Sequence, residues 1–578
     1  MCGIAGIVGG HASEQLARAM AQRLAHRGPD GEGVWYKPGV ALSHRRLAIQ
    51  DLTDAGFQPM VFGSKVLTYN GELYNHESLR PHLPGPWKST GDTEVLLRLL
   101  ALEGTAGLSR IAGMFALGLW DESAATLTLV RDRLGIKPLY YRILDDGIAF
   151  ASELKALLLL GKPDVDKSAL RDFLFHGYIP APKSIYRGIF KLPAGHSLTW
   201  CDGKVALQRY WSPSAELVAK DGEAAVRELD GLLRDIVPAH TLSDVPVGVF
   251  LSGGIDSALT TSYLQAPHTY TIAFEASGRS EAEAARALAE HLHTKHTEMM
   301  APQADFAGAL EKIPELFDEP FGDSAAWSNY LVSQFARREV TVALSGEGGD
   351  EIFCGYPRYW SKVGERSTLL KRALARSLPP LTRLATSLER QAMQGLPAYA
   401  AALGGMTASQ IETLLAPEWL ERDYDYLWFY RRHWREDLPP LARLRWLDIN
   451  TDLAEGLLTK VDRTSMAHSL EVRPPLLDHR LVEYILKVDP QLLVDERARR
   501  GKVLVRRLLE PKVPPGHLER PKSGFGLPVH RWLKRHPELL KDAVARLRAA
   551  GILGRGVPAD FRRAWFLLVL DRWVNAFG

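Results

Sequence analysis

Residues 246–257 read PVGVFLSGGIDS, an apolar stretch that runs directly into two glycines flanked by serines. The run from Pro246 to Leu251 predicts a short buried strand, and a helical pattern follows Ser257. Two adjacent glycines let the backbone approach an anion closely, and the next helix start offers unpaired N–H groups. The stretch predicts a phosphate-binding loop, with a plain strand–turn–helix connection as the alternative. The sequence has no G-x-x-x-x-G-K-[ST] motif, which excludes a Walker-type loop.

A second polar cluster, SGEGGDEIF at residues 345–353, follows another apolar run. Ligands of open α/β sheets bind at the carboxyl ends of the strands, so both clusters are expected at one edge. A carboxylate alone would repel phosphate, but Asp256 and Asp350 together can share a Mg²⁺ ion that bridges to the phosphates. We place Glu347 between nucleotide and substrate, and we interpret Glu351 as a helix-capping or surface carboxylate.

The apolar runs around these clusters predict an α/β fold. Pro246–Leu251, Tyr270–Phe274 and Val340–Leu344 are short and almost wholly apolar, and each precedes a loop and a helical pattern. Such strands are typical of a parallel sheet that is covered by helices on both faces. From about residue 365 onwards, the pattern is mainly helical.

The chain up to about residue 200 instead combines short strands and turns with a few helices. A polar stretch at residues 212–222 separates the two patterns, and we therefore predict two domains, residues 1–211 and 223–578. The predicted helices of the first part are Glu14–Arg27 and Thr93–Glu103, and its predicted strands are Gly3–Gly9, Val66–Tyr69 before a turn at Asn70-Gly71, and Ala125–Arg131 paired with Lys137–Arg142 around a turn at Leu134-Gly135.

Composition excludes several classes of protein. The 578 residues carry a formal net charge of +3, which gives no electrostatic footprint for nucleic acid or an anionic membrane. No apolar run is long enough to span a bilayer, and MCGIAGIVGG lacks the features of a signal peptide. Three widely spaced cysteines imply neither disulfides nor zinc, so a reducing cytoplasm fits best. We interpret the basic cluster of Arg497, Arg499, Arg500 and Lys502 as a solvated helix face.

The motifs SGGIDS and SGEGGDEIF resemble the synthetase domain of glutamine-using asparagine synthetases, a branch of the ATP pyrophosphatases. The resemblance implies an ATP substrate whose α-phosphate is attacked by a carboxylate, giving an acyl-adenylate. RPKSGFGLP, residues 520–528, also resembles this family and implies that Lys522 steadies the adenylate. In the related stretch Leu458–His479, which we interpret as helix and turn, Arg473 is the best polar candidate. The ATP-binding residues implied are Leu251, Ser252, Gly253, Gly254, Asp256, Ser257, Ile272, Ser345 and Gly346.

MCGIAGIVG resembles the start of class II glutamine amidotransferases, which are N-terminal-nucleophile hydrolases. The resemblance implies an αββα sandwich and a nucleophilic Cys2 once Met1 is removed. The exposed α-amine, with an ordinary pKa of about 7.7–8.0, then serves as the base for the thiol, whose ordinary pKa is about 8.5. The alternative interpretation of a lone cysteine at this position is a small apolar residue in the first strand.

Further motifs in family order imply the remaining contacts of glutamine. In SHRRLAIQD, Arg46 matches the arginine that binds the glutamine α-carboxylate, although the adjacent Arg45 is an alternative. Asn70 and Gly71 of YNGELYN imply an oxyanion hole, and Glu72 and Asp92 imply a site for the α-ammonium group. We interpret HRGPDG, RDRLGIKPLYY and ASELKAL as turn and packing features. The remaining pocket residues implied are Leu47, Ala48, Ile49 and Gln50.

These motifs together predict a glutamine-dependent ligase that passes ammonia internally to an activated carboxylate. Aspartate is the family's usual acceptor, and a homodimer is the family expectation. Within DEPFGDSAAWSNYLVS, Trp327 and Ser328 replace a small residue and a proline that are often found beside the substrate. Another carboxylate, such as a uronic acid or a biosynthetic intermediate, is therefore an alternative acceptor. A regulatory protein that retains the fold without turnover is a further alternative.

Overall fold

A computed structural model of the chain describes residues 2–218, 221–274, 279–301, 306–360, 387, 390, 393–520, 529–554, 556 and 561–577. Met1 and the predicted Lys522 lie outside these residues. The strands are β1 (Gly3–Val8), β2 (Gly31–Lys37), β3 (Val40–Arg46), β4 (Met60–Phe62), β5 (Lys65–Leu73), β6 (Gly113–Asp121), β7 (Thr126–Arg131), β8 (Tyr140–Leu144), β9 (Gly147–Ala151), β10 (Ile189–Lys191), β11 (His196–Cys201), β12 (Lys204–Arg209), β13 (Val247–Phe250), β14 (His268–Phe274), β15 (Lys295–Ala301), β16 (Val342–Leu344) and β17 (Glu471–Arg473).

Helices surround these strands. Ser13 begins the first of them by accepting a hydrogen bond from the Leu16 N–H group at 3.2 Å. The helices are α1 (Glu14–Arg23), α2 (His76–Leu79), α3 (Asp92–Glu103), α4 (Leu154–Leu157), α5 (Lys167–His176), α6 (Gly222–Ala239), α7 (Ile255–Thr261), α8 (Arg279–His291), α9 (Phe306–Phe317), α10 (Ala325–Ala336), α11 (Gly349–Ile352), α12 (Gly395–Leu403), α13 (Ala408–Leu414), α14 (Trp428–Arg431), α15 (Pro440–Asn450), α16 (Thr459–Met466), α17 (His479–Lys487), α18 (Val503–Leu509), α19 (Val529–Arg535), α20 (Pro537–Ala549) and α21 (Phe561–Phe577).

The first twelve strands form two stacked antiparallel sheets, ordered β10-β8-β9-β1-β3-β2 and β12-β11-β7-β6-β5-β4. Apolar side chains that face inward from both sheets, among them Leu42, Phe150, Val66 and Leu129, make a common core. Helix α1 covers the outer face of the first sheet, and α3 covers the outer face of the second. This arrangement is the αββα sandwich that the sequence motifs imply.

Two local predictions in this part are wrong. Asn70-Gly71 is not a turn, because β5 runs straight through it and pairs Asn70 with Ala116 and Gly71 with Phe115 on β6. Gly71 is needed there because a Cβ atom would collide with the Met114 carbonyl oxygen. The strands β7 and β8 do not pair with each other either, since they lie in different sheets. Short-range turn signals do not reveal which sheet a strand joins.

The later strands form a parallel sheet, ordered β15-β14-β13-β16-β17 in the described residues. Its three central strands overlap the three predicted apolar runs. The two edge strands escaped prediction for different reasons. β15 reads KHTEMMA and lacks a continuous apolar run, while β17 has three residues inside a stretch interpreted as helix and turn. A π-helical turn, Leu453–Leu458, leads directly into α16.

The two parts meet through buried ion pairs. Arg27 contacts Asp462 at 2.8 Å, and Arg131 contacts Glu455 at 3.1 Å. The predicted boundary lies between the end of β12 and the start of α6, and the division into residues 1–211 and 223–578 stays a proposal. Among the helices of the described residues, none has the length and apolar character needed to cross a bilayer.

Candidate active sites

Cys2 precedes β1, a central strand of the first sheet, and is almost fully buried. Its backbone N–H donates to Asn70 Oδ1 at 2.9 Å, and its carbonyl oxygen accepts from Arg27 Nε at 3.1 Å. Sγ lies 4.0 Å from the Leu47 carbonyl oxygen. Burial raises the pKa of the Cys2 thiol, so the thiol needs a base before it can act as a nucleophile.

A pocket beside this cysteine, which we name the Cys2 pocket, brings together many of the predicted residues. Two of the predicted residues are outside its wall: Asn70 reaches Cys2 directly, and the Ala48 N–H donates to Asp30 Oδ2 at 2.8 Å. The wall is formed by Cys2, His44, Arg46, Leu47, Ile49, Gln50, Gly56, Gln58, Tyr69, Gly71, Glu72, Asp92, Thr93 and Glu471.

Asn70 is fully buried, and its side chain has two distinct ends. Oδ1 receives the Cys2 N–H, whereas Nδ2 has no hydrogen-bond partner among the residues that the structure describes. An unpaired buried N–H donor is costly unless a ligand or transition state uses it. The geometry therefore supports Asn70 Nδ2 as an oxyanion donor beside the nucleophile, with the Gly71 N–H predicted as the second donor.

Arg45 and Arg46 end β3, and adjacent side chains of a strand point to opposite faces. Arg46 lines the Cys2 pocket, where its guanidinium donates to the carbonyl oxygens of Asp51 and Thr53. Arg45 instead pairs with Glu32 at 3.0 Å. The pocket thus favours Arg46 over Arg45 for binding the glutamine α-carboxylate, and this role stays a prediction.

The two predicted ammonium-binding carboxylates lie in the pocket wall but already have protein partners. Glu72 Oε1 accepts from Gln50, and Glu72 Oε2 pairs with Arg473 at 2.9 Å. Asp92 Oδ2 accepts from the Tyr69 hydroxyl and the Leu73 N–H, each at 2.9 Å. Burial raises the pKa of both carboxyl groups, although Arg473 opposes the shift at Glu72.

Two pocket residues carry chemistry that sequence reasoning missed. His44 is buried, and burial lowers its pKa to about 3, so its imidazole is neutral at ordinary pH. Its signal was its place in the quoted SHRRLAIQD motif. Glu471 comes from the distant strand β17, and nothing local in the sequence connects it with Cys2.

The predicted phosphate loop joins β13 to α7 as expected. Gly253 has a φ of +69°, and a Cβ atom there would lie 2.8 Å from Ala284 Cβ. The Ser257 hydroxyl donates to the Gly254 carbonyl at 3.1 Å and accepts from the Ser252 N–H at 3.2 Å. These contacts fold the loop at the N-terminus of α7, a position where backbone N–H groups can bind an anion.

The second cluster packs directly on this loop. A Cβ atom on Gly346 would lie 2.8 Å from backbone atoms of both Asp256 and Ser257, so a glycine is required for the approach. Ser345 Oγ is buried and, within the described part of the chain, has no hydrogen-bond partner. The predicted apolar ATP contacts are both buried: Leu251 directly follows β13, and Ile272 lies within β14.

Asp256 and Asp350 converge on one cation, the ammonium group of Lys502, which lies 2.5 Å from each carboxylate. These two charges raise the pKa of Lys502 to about 12 against the opposing effect of burial. Mg²⁺ in phosphate sites usually takes one or two carboxylates together with phosphate oxygens, so this pair fits the predicted metal.

Lys502 corrects the interpretation of the basic cluster as a solvated face. Arg497, Arg499 and Arg500 are exposed, but Lys502 is buried and has a φ of +60°. A non-glycine residue in this backbone region carries strain, which is common at functional sites. The Gly501-Lys502 pair at the start of a helix was the signal that could have singled out Lys502. The three arginines just before it made the whole cluster resemble an exposed basic face.

Glu347 opens into a second cavity, which we name the Glu347 cavity. Burial raises the pKa of Glu347, and Lys460 opposes the shift. Lys137, from the motif interpreted as packing, is fully buried and ion-pairs with Asp462 at 3.6 Å. The cavity is lined by Ile136, Lys137, Glu347, Leu458, Val461, Asp462, Val472 and Pro474.

Glu351 is not a surface carboxylate. It lies in the first turn of α11 but is buried, and its Oε1 accepts from the Tyr356 hydroxyl. Burial and the neighbouring charge of Asp350 raise the pKa of Glu351 to about 8. The sequence could not show this, because the residues that cover Glu351 include Tyr356 and the region around Asp448.

Comparison with known proteins assigns the family. Residues 1–211 match the glutamine amidotransferase domain family, and residues 228–557 match the asparagine synthase family. Asparagine synthetase [glutamine-hydrolyzing] 1 of Bacillus subtilis is 33% identical over 92% of this chain and 88% of that protein. The putative asparagine synthetase [glutamine-hydrolyzing] of Mycobacterium bovis is 34% identical over 100% of this chain and 95% of that protein.

A more distant relative has a different name. Amidase chry2 of Gibberella zeae is 26% identical over 89% of this chain and 87% of that protein. The two matched domains imply glutamine and ATP as substrates. From these matches and the geometry of its two sites, the chain belongs to the asparagine synthase family and is a glutamine-hydrolysing carbon–nitrogen ligase.

Proposed function

We propose that this chain is a glutamine-dependent asparagine synthetase. It hydrolyses glutamine at Cys2 and uses the ammonia to amidate aspartate that ATP has activated, yielding glutamate, asparagine, AMP and pyrophosphate. The observation that carries the proposal is the adjacency of the two sites. Glu471 lines the Cys2 pocket and the next residue, Val472, lines the Glu347 cavity, so one short strand separates them.

The proposed glutaminase step starts when removal of Met1 leaves an α-amine on the nitrogen that contacts Asn70 Oδ1. The amine takes the Sγ proton, and the thiolate attacks the glutamine carboxamide. Asn70 Nδ2 and the Gly71 N–H stabilise the oxyanion, and ammonia leaves a γ-glutamyl thioester that water hydrolyses. Arg46, Glu72 and Asp92 hold the α-carboxylate and α-ammonium groups of glutamine in this scheme.

In the proposed synthetase step, the loop of residues 252–257 holds the pyrophosphate portion of ATP at the start of α7. Asp256 and Asp350 are the residues that would hold Mg²⁺, which supplies positive charge to the phosphate oxygens. Lys502 places a second positive charge at the same edge. Glu347, which faces the cavity between the sites, is proposed to accept a proton as ammonia attacks the adenylate.

Aspartate is the proposed acceptor, and one observation favours another carboxylate as a second candidate. Trp327 Nε1 and Ser328 Oγ, in the first turn of α10, are buried without a hydrogen-bond partner in the described ranges. The preceding Asp323 pairs with Lys460 at 3.0 Å, and Lys460 acts on Glu347. Two unused donors on the helix that follows Asp323 suit an acceptor with additional hydroxyl groups, such as a uronic acid.

The test of the two-site scheme is Cys2→Ala, with Cys201→Ala at an exposed position as the matched control. We expect synthesis from glutamine to vanish in Cys2→Ala while synthesis from an ammonium salt persists at the wild-type rate. Loss of both activities in a folded variant would sink the scheme. Intact mass of the active enzyme should lack Met1, since a retained Met1 leaves Cys2 without its base.

A panel of acceptors tests the second half of the proposal. Pyrophosphate release is measured with ATP, ammonium and each carboxylate, beginning with aspartate and continuing with uronic acids. We expect the highest kcat/KM with aspartate. Faster release with a uronic acid would replace asparagine synthesis with the second candidate function and leave the glutaminase proposal intact.

A further inference from the structure

The Cys2 pocket contains a carboxylate that belongs to the second part of the chain. β17 is an edge strand of the parallel sheet, and it pairs Glu471 with Val342 and Arg473 with Leu344 of β16. Alternate side chains of a strand share a face, so Glu471 and Arg473 point the same way. Glu471 is fully buried in the pocket wall, and Arg473 binds it through Nε at 2.6 Å.

Glu471 and Cys2 line the wall of the same pocket. Burial is the main cause that raises the pKa of the Cys2 thiol, and the negative charge of Glu471 adds to it. Glu72 is bound to Gln50 and Arg473, and Asp92 is bound to Tyr69 and the Leu73 N–H. Arg473 and Lys137 help to keep Glu471 ionised, although its burial works against the charge.

We infer that Glu471 is a positioning residue of the glutaminase reaction, whose carboxylate orients and stabilises the ammonium group that forms on Cys2. The inference rests on the proposed role of processed Cys2. When the α-amine takes the Sγ proton, the nitrogen becomes an ammonium group and the sulfur becomes a thiolate. The thiolate forms the S–C bond to glutamine while the carbonyl electron pair moves to oxygen. As the C–N bond breaks, the ammonium proton passes to the leaving nitrogen, and the neutral amine is restored.

The base of the glutaminase site draws on both parts of the chain. Asn70 Oδ1 binds the Cys2 nitrogen from β5 in the first part, and Glu471 approaches from the sheet that carries the phosphate loop. A strand of the synthetase sheet thus completes the base of the glutaminase site. The amidotransferase region alone lacks this carboxylate, so its base is weaker without the second domain.

The test is Glu471→Gln in the full-length chain, with glutaminase kcat/KM followed against pH. A nearby negative charge favours the protonated amine, so its removal lowers the pKa of the amine. We expect the acid limb of the profile to move down by about one pH unit and the plateau to fall roughly tenfold. The rate of Cys2 alkylation by iodoacetamide, located by peptide mass, should shift to lower pH in the same direction.

Some of the groups near the pair keep their charge state in this comparison. Arg27 and Arg46 remain positive, and His44 with its pKa of about 3 remains neutral in the assayed range. Burial raises the pKa of Tyr69, Glu72 and Asp92, and the charge of Glu471 adds to each shift, so Glu471→Gln lowers the pKa of these three groups as well. The alkylation profile of Cys2, measured without glutamine, is therefore the readout that follows the thiol itself. Glu455→Gln is the matched control, because it neutralises a buried carboxylate that pairs with Arg131 at 3.1 Å across the same interface. We expect its acid limb to coincide with that of the wild type.

Several outcomes separate the inference from the proposed function. Ammonium-dependent synthesis at the wild-type rate shows that the sheet of Glu471→Gln is intact. If this variant does not fold, Glu471→Asp replaces it. Because Glu471→Asp keeps the charge, it should retain the wild-type acid limb with a lower plateau. An unshifted acid limb in folded Glu471→Gln overturns the inference. A raised KM for glutamine with unchanged kcat also overturns it, since the carboxylate would then bind substrate. A wild-type enzyme without glutaminase activity contradicts the proposed function itself.

Discussion

The single side chain of Lys502 holds together the two carboxylates at the carboxyl ends of the parallel strands. It enters between Asp256 and Asp350, two carboxylates that follow neighbouring strands and that would repel each other without a cation. Its strained backbone and its burial set it apart from the exposed arginines that precede it. Lys522, which the family resemblance assigns to the adenylate, lies outside the described residues, and its role stays a prediction. The roles of Lys502 and Lys522 are two separate hypotheses.

Lys502→Met tests the first hypothesis at the scale of the residue. Removal of the ammonium group leaves two half-buried carboxylates facing each other and weakens the binding of developing phosphate charge. We expect synthesis from glutamine and from ammonium to fall on the order of 100-fold, the usual cost of a lost electrostatic stabiliser. Glutaminase activity should remain. Lys512→Met, which removes a half-exposed partner of Asp230, is the control, and unchanged synthesis in Lys502→Met would contradict the role.

Helix α16 is the element that ties the two sites together. Asp462 near its start binds the buried guanidinium of Arg27, and Arg27 binds the Cys2 carbonyl. Arg463, the next residue, pairs with Asp318 at 2.7 Å and with Glu153 at 3.3 Å. The HRGPDG and ASELKAL motifs supply Arg27 and Glu153. These motifs therefore serve packing, but they do so through buried ion pairs, and Arg27 extends the network to the Cys2 carbonyl.

Asp462→Ala tests the contribution of this element to stability. The change leaves the buried Arg27 with Glu153 as its remaining carboxylate partner, and we expect a loss of about 3 kcal/mol. The denaturation midpoint, followed by chemical unfolding, is the measurement. Asp425→Ala removes an exposed partner of Arg431 and should change stability by less than about 1 kcal/mol. Equal midpoints for the two variants would contradict a stabilising role of the buried network.

At the scale of the whole molecule, two cavities lie on either side of β17. Glu471 lines the Cys2 pocket, and Val472 and Pro474 line the Glu347 cavity. The cavity also contains Lys137 and Asp462, so it lies where the first domain meets α16. This arrangement supports an internal passage for ammonia, because the nucleophile and the carboxylate edge face the same short strand from its two sides.

Val472→Phe tests the passage by filling the Glu347 cavity from β17. We expect the ratio of glutamine consumed to amide formed to rise severalfold, because ammonia escapes before it reaches the adenylate. Glutaminase activity and ammonium-dependent synthesis should remain, and both products are quantified from one reaction. Val472→Ala widens the same point and should keep the wild-type ratio. A ratio that is unchanged in Val472→Phe would place the passage elsewhere.

Local pattern predicted the elements whose signals are contiguous in the chain. Apolar runs predicted β13, β14 and β16, and helical periodicity predicted α1 and α3 within a few residues. The strand pairing of β7 and β8 and the turn at Asn70-Gly71 were wrong, because sheet membership depends on partners far away in sequence. Edge strand β15 was missed since its polar residues do not form a buried run.

The sequence by itself determined the parallel α/β architecture of the second part, the predicted phosphate loop, and the resemblance that implies the αββα sandwich and a nucleophilic Cys2, because these signals lie in residues close together in the chain. Only the tertiary structure placed Glu471 in the Cys2 pocket, Lys502 between Asp256 and Asp350, and Lys137 beside Glu347 in one cavity. Each of these joins groups hundreds of residues apart or on separate elements. Folding brings such groups together by burying the faces of whole helices and sheets, which no local pattern of residues reports.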